Sequence, residues 1–308
     1  MSESKTVVMS VNDVKKRFNL LGHIYLLFLF VILVLEQFSD NITLELTKYI
    51  NIKYETLTLI VLMLGVSLSG LIIFSIFKKR VKIKSNELRR NTKLMEVPFL
   101  QLIVLAISFC LLGTFFTSFL NAFMDLEITL MYPIGISSIS SDYMNIGLFI
   151  LLVFIAPIVE EYIFRGITLR FLGRFSNKFG VISTSLLFGL FHLNFVQIIP
   201  AFLLSYLLCM ITLRYKSIIP SIIVHIVTNL ILFSLGIFAT TKYSYFIVFI
   251  IILYVAAIYI IYKTHNKRVI IPFEPDANTL IKFLFKRYSF ILIFIIILVY
   301  NIYSIFIL

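Results

Sequence analysis

Nine apolar stretches punctuate the chain at about 20–36, 57–77, 98–120, 145–165 or beyond, 179–195, 198–213, 218–238, 243–262 and 288–308. A helix needs roughly 17–25 such residues to cross a bilayer, so the pattern predicts an all-α, polytopic transmembrane helix bundle of eight to nine spans. The sixth stretch is short and starts near Pro200, with almost no loop after the fifth. That pair is expected to form a tight or partly re-entrant hairpin. Neither an internal repeat nor a low-complexity tract interrupts the order.

Composition agrees with the pattern. The chain is 60% hydrophobic and only 14% charged, where a soluble protein carries roughly a quarter charged residues. Too few charges remain to cover a water-facing surface, which excludes a soluble enzyme, a nucleic-acid binder and a disordered tail. The net charge of +12 reads as an orientation signal, because Lys and Arg collect in cytoplasmic loops. Residues 1–19, 78–97, 165–178, 214–217 and 263–287 hold 24 of the 27 basic residues, leaving Lys48, Lys53 and Lys242 on the other face. This alternation fits nine spans with the N-terminus in the cytoplasm, and needs no acidic partner. Residues 5–35 have the basic start and apolar run of a signal peptide, but no small-residue cleavage site follows, so they read as an uncleaved anchor. Cys110 and Cys209 lie inside apolar runs and read as small hydrophobes.

Three units are expected: a two-helix unit with its basic loop over 1–97, a central bundle over 98–238, and two closing helices over 239–308. The 78–97 loop is read as a solvated segment facing lipid headgroups. The 263–287 loop, with Pro272 and Pro275, sets off the last helix.

The few ionisable groups within apolar runs mark where chemistry can occur, since a charge at mid-helix costs on the order of 2.5–3.5 kcal/mol. Of 15 acids, only Glu160 and Glu161 lie well inside such a run (VFIAPIVEEYIFRG); Glu36 is at the outer end of the first span. Of four histidines, His192 (LLFGLFHLN) and His225 (PSIIVHIVTN) are embedded, while His23 and His265 are not. Neighbouring helix positions point about 100° apart, so Glu160 and Glu161 are not expected to face one small site together. Glu161 and Arg165 stand four apart with Glu first, the favoured order for an intrahelical ion pair. Glu160 is then the carboxylate without a partner. Phe188 with His192, and His225 with Asn229, share the same spacing, and each pair is expected on one helix face. Pro157 lacks a backbone donor and bends a helix. For Glu160 to reach the depth of His192, the fourth span must continue to about Leu172. Each feature has a plain alternative. The glutamates with Arg165 could mark an interfacial helix end, and the histidines with Asn229 could be interhelical polar contacts.

EEYIFR, FGLFH and HIVTN resemble, in this order, the EExxxR, FxxxH and HxxxN motifs of the CPBP family, the CAAX-protease and bacteriocin-processing intramembrane proteases. The resemblance covers about 145–235. It implies an endopeptidase acting on a membrane-associated peptide or protein, with Glu160 as general base on a water. It further implies that His192 helps to hold that water, that His225 and Asn229 support the oxyanion, and that Glu161 and Arg165 are structural. Amide hydrolysis does require a base, a positioned water and oxyanion donors.

A cofactor is left open. Two histidines and a glutamate match a three-ligand zinc site, but HExxH is absent and Asn229 suits an oxyanion donor better than a ligand, so a metal-free route is favoured. The expected partners are a peptide or protein substrate and the lipid bilayer, with no nucleic acid. Abundant Ile, Phe, Lys and Asn without Trp point to a low-GC bacterium and its plasma membrane. Bacteriocin or signal-peptide maturation, or self-immunity, would fit. The competing class is a non-catalytic scaffold or a transporter; the latter should carry inverted repeats, which the sequence lacks.

Overall fold

The computed structural model describes residues 10–84, 98–123, 146–239, 243–264 and 277–307. Most of the 78–97 loop, Pro272, Pro275, His265 and Lys242 lie outside these residues. Ten helices follow one another: α1 Val11–Leu46, α2 Tyr54–Arg80, α3 Phe99–Phe123, α4 Ile146–Leu172, α5 Asn177–Leu190, α6 Phe195–Tyr215, α7 Ile219–Ala239, α8 Tyr243–Thr264, α9 Ala277–Phe285 and α10 Tyr288–Ile307. No strand occurs among the described residues.

Each apolar stretch of the sequence contains a helix among the described residues. Not every such helix is long enough to span. Five described helices have the length and hydropathy to cross a membrane, or six if α9 and α10, bent by 69°, count as one. The described residues thus support five or six spans, and the eight to nine expected from the sequence are not established by them. One reason is geometric: the 14 residues of α5 rise about 21 Å at 1.5 Å each, short of a hydrocarbon core of about 30 Å. The protein is nevertheless an integral membrane protein. Large apolar side chains on helix flanks, such as Phe30, Ile72, Phe115, Val255 and Phe294, stand exposed, an arrangement suited to lipid and costly in water.

Helix α4 is the centre of the assembly. It touches α2, α5, α6 and α7. It is also irregular, because π-helical turns at Leu151–Ile155 and Tyr162–Thr168 interrupt its α-helical course. Around its second half lies an aromatic core contributed by α1, α2 and α5. Phe164 meets Phe188 edge-on at 4.9 Å, Tyr25 meets Phe74 at 5.1 Å, and Phe77 meets Phe171 at 5.2 Å. Edge-to-face packing matches the quadrupoles of the rings.

On the other side, α3, α5 and α6 pack closely around small residues. A Cβ added to Gly113 would stand 2.5 Å from Pro200 Cα, and one on Gly189 would stand 2.6 Å from the Ile198 carbonyl oxygen. Backbone approach at this distance allows α6, with Pro200 inside it, to lie against α3 and α5. Gly113→Ala should therefore lower the unfolding free energy in detergent by about 1–3 kcal/mol through overpacking. Gly65→Ala, whose new methyl would meet only the movable Leu35 side chain at 3.1 Å, should leave the denaturation midpoint nearly unchanged. Equal midpoints for the two variants would contradict the close approach.

Candidate active site

The Pro157 region governs the local backbone that presents the glutamates. In the π-helical turn before it, the Ala156 N–H donates to the Leu151 carbonyl, five residues back. Continuing that pattern, residue 157 would donate to Leu152, but proline has no N–H. The gap is filled from α7, where Asn229 Nδ2 donates to the Leu152 carbonyl at 3.2 Å. A carboxamide on one helix thus satisfies the carbonyl that proline leaves open on another, as a buried backbone acceptor requires. The amide group of Asn229 has two N–H donors, and one is engaged here.

Three residues beyond Pro157 come the two carboxylates, and they differ sharply in setting. Glu161 and Arg165 are both fully buried, and Arg165 Nη1 lies 2.8 Å from Glu161 Oε1. The contact is a charge pair rather than a well-aimed hydrogen bond, because Arg165 Nη1 finds no hydrogen-bond geometry among the described residues. The guanidinium also covers the Phe188 ring, 4.6 Å from its centroid, a cation–π contact strengthened by desolvation. Glu160, in contrast, is 32% exposed.

His225 joins the two. Its Nδ1 donates to Glu161 Oε1 at 2.9 Å, while its Nε2 lies 3.7 Å from Glu160 Oε2. The expectation that both glutamates could not serve one site is therefore corrected. Two carboxylates about 100° apart on α4 are reached by one imidazole because its nitrogens sit on opposite edges of the ring. Glu160 is correspondingly not without a neighbour. At 3.7 Å the approach of Nε2 to Oε2 is a loose polar contact and not a hydrogen bond.

His192 departs from its expected position. It does not continue α5, which ends at Leu190; His192 lies in the following turn, with Leu193 at φ 52°. The i,i+4 relation with Phe188 survives as a side-chain bond across the helix end: His192 Nδ1 lies 2.8 Å from the Phe188 carbonyl. A carbonyl only accepts, so Nδ1 carries the proton and Nε2 of the neutral ring is left as an acceptor. Phe188 is common to the set. Its ring centroid is 4.8 Å from that of His192 and 6.0 Å from that of His225.

The structure therefore groups Glu160, Glu161, Arg165 and His225 through direct polar contacts, with His192 joined through Phe188 and Asn229 through the backbone of α4. Two supporting residues were not foreseen. Tyr25 of α1 hydrogen-bonds Thr168 at 2.7 Å, and Thr168 in turn donates to the Ile163 carbonyl at 3.1 Å within the second π-helical turn. An embedded tyrosine in the first span was the only available sequence signal. Among the described residues no three His, Cys, Asp or Glu side chains are grouped to hold a metal ion. A separate cavity of about 410 Å³ opens where α4 and α6 end and α5 begins, beside Arg170, Arg174 and Lys216. It does not contain the glutamates.

No curated protein and no solved structure matches the chain. The family model described as Type II CAAX prenyl endopeptidase Rce1-like matches residues 142–231, an interval that contains Glu160, Glu161, Arg165, His192, His225 and Asn229. The segment that forms this site thus matches the model of the CAAX-protease family that its three motifs resemble.

Proposed function

We propose that this protein is an intramembrane endopeptidase that hydrolyses a peptide bond of a membrane-associated peptide or protein with a water activated by Glu160. The family match supports a CAAX-type intramembrane endopeptidase in general and a substrate presented at the membrane. The observation that carries the finer reading is the contrast between the carboxylates: Glu161 is buried against Arg165 and His225, whereas Glu160 stays partly exposed beside His225.

Glu160 takes a proton from water as the oxygen bonds to the substrate carbonyl carbon. The same carboxyl then returns a proton to the leaving nitrogen as the C–N bond breaks. His192, with Nδ1 tied to Phe188, offers Nε2 to hold the water. The remaining N–H of Asn229 serves the developing oxyanion. His225 has a different task from the oxyanion support expected of it, since both its nitrogens face carboxylates; it holds Glu160 in orientation and charge. The composition favours a bacterial plasma membrane, where leader-bearing bacteriocin and signalling precursors are matching substrates.

Glu160→Gln should reduce cleavage by roughly 10²–10⁴-fold, and His192→Ala should also impair it, at unchanged protein level. Both are to be measured with the full chain in lipid nanodiscs, using a fluorogenic farnesylated CAAX peptide and a leader-bearing precursor peptide. Full activity in both variants on a peptide that the parent cleaves would remove the mechanism. Cleavage should persist after exhaustive chelation, and a loss restored by added zinc would reassign the chemistry to a metal. Glu161→Gln should destabilise the fold by about 3–5 kcal/mol, because it leaves the Arg165 charge buried without its partner. Glu161→Gln combined with Arg165→Met should recover much of this in denaturation, and no recovery would refute the pairing.

A further inference from the structure

The turn that carries His192 is gripped from two sides by helices outside the segment that matches the family. On one side, Phe191 packs on α1: its ring stacks on Phe28 at 5.8 Å with planes 5° apart, and lies 4.9 Å from Tyr25. On the other side stands α10. Asn301 is 1% exposed, its Oδ1 accepts the Phe195 N–H at 2.8 Å, and its Nδ2 donates to the Ile297 carbonyl at 2.8 Å. The Phe195 N–H is at the first turn of α6, where helical partners are lacking. The neighbouring Val196 N–H is capped separately by Asn194. The two gripping helices also hold each other: α1 packs against α10, and Tyr300 donates to Glu36 at 2.5 Å.

Rigid support matters here for a geometric reason. Residues 191–194 form a short connection between α5 and α6, and Leu193 within it occupies left-handed backbone. His192 therefore owes its position to the ends of that connection and not to a continuous helix. We infer that Asn301 is a positioning residue for His192, and that α1 and α10 together form a clamp fixing the turn that holds the water-binding imidazole. The catalytic part of this inference rests on the function proposed above; the clamp itself does not. Asn301 acts on the turn through its bond to the Phe195 N–H.

The test compares three variants of the full chain in nanodiscs. Asn301→Leu removes the acceptor, Asn301→Asp keeps an oxygen for the Phe195 N–H, and Ile297→Ala weakens packing of the same helix at a 2% exposed site while keeping the Asn301 acceptor for the Phe195 N–H. Amide exchange of the segment 191–197 should quicken roughly tenfold in Asn301→Leu, the effect of losing one buried hydrogen bond. It should return toward the parent rate in Asn301→Asp and stay unchanged in Ile297→Ala. The ¹⁵N resonances of His192, with protonation at Nδ1 in the parent, should change in Asn301→Leu alone. On a peptide that the parent cleaves, kcat should fall roughly 10-fold or more with KM within about twofold. Unchanged exchange in Asn301→Leu, or equal acceleration in Ile297→Ala, would overturn the clamp. Faster exchange with unaltered kcat would overturn the positioning role. An inactive parent would sink the proposed function, while exchange and the His192 resonances would still decide the clamp.

Discussion

A fully buried arginine in an apolar bundle constrains everything around it. Arg165 places a planar guanidinium at a point where no surface is available to it. Glu161 supplies the opposite charge one turn away, Phe188 supplies a π face, and Glu161 is itself shared with His225 on α7. Buried ion pairs of this kind often add little to net stability, since desolvation opposes their attraction, yet breaking one is severe. The consequence is specificity of arrangement. α4, α5 and α7 are brought to one relative position by the need to neutralise a single guanidinium, and Glu160 is delivered beside His225 as a by-product.

The proline of α4 exerts the second constraint, and it acts through the backbone. A missing N–H at Pro157 inside a bilayer leaves a carbonyl with no solvent to satisfy it. The π-helical turn and Asn229 together resolve that deficit. Asn229 is therefore tied to α4 whatever else it does, and an isosteric apolar residue there would expose a carbonyl. A polar residue in this family motif thus has a structural requirement superimposed on any chemical one. The same holds at Thr168, whose hydroxyl bonds the Ile163 carbonyl inside the second π-helical turn.

How much of this was legible in the sequence follows from the range of each interaction. Local periodicity sufficed for helix limits: the stretches read at 57–77, 218–238 and 243–262 correspond to Tyr54–Arg80, Ile219–Ala239 and Tyr243–Thr264. The i,i+4 spacing brought Glu161 to Arg165, because a helical turn is a local property that survives even a π-helical interruption. His192 lies outside the helix expected over it, and the one boundary signal in LLFGLFHLN is Asn194, the N-cap of α6. The break itself is a left-handed Leu193, a conformation disfavoured for a branched side chain, which only tertiary packing sustains. The sharing of His225 between adjacent carboxylates was equally hidden, because directions on a single helix wheel say nothing of a ring inserted from another helix.

Long-range polar partners are the least legible class, and they concern the flanking helices most. Asn301 and Tyr25 carry no motif, and each lies more than a hundred residues from the group it bonds: 106 for Asn301 and 143 for Tyr25. The match to the family model covers 142–231 alone, and within that interval the polar residues of the site contact one another across neighbouring helices. What that core lacks is a second wall. Its α5 is too short to span and ends beside His192, so the turn that follows must find support outside the segment. The first and last helices meet that need with one aromatic stack and one carboxamide. Selection on these two helices would therefore act on shape and hydrogen bonding at a few points, leaving their many lipid-facing positions free to vary as long as they stay apolar.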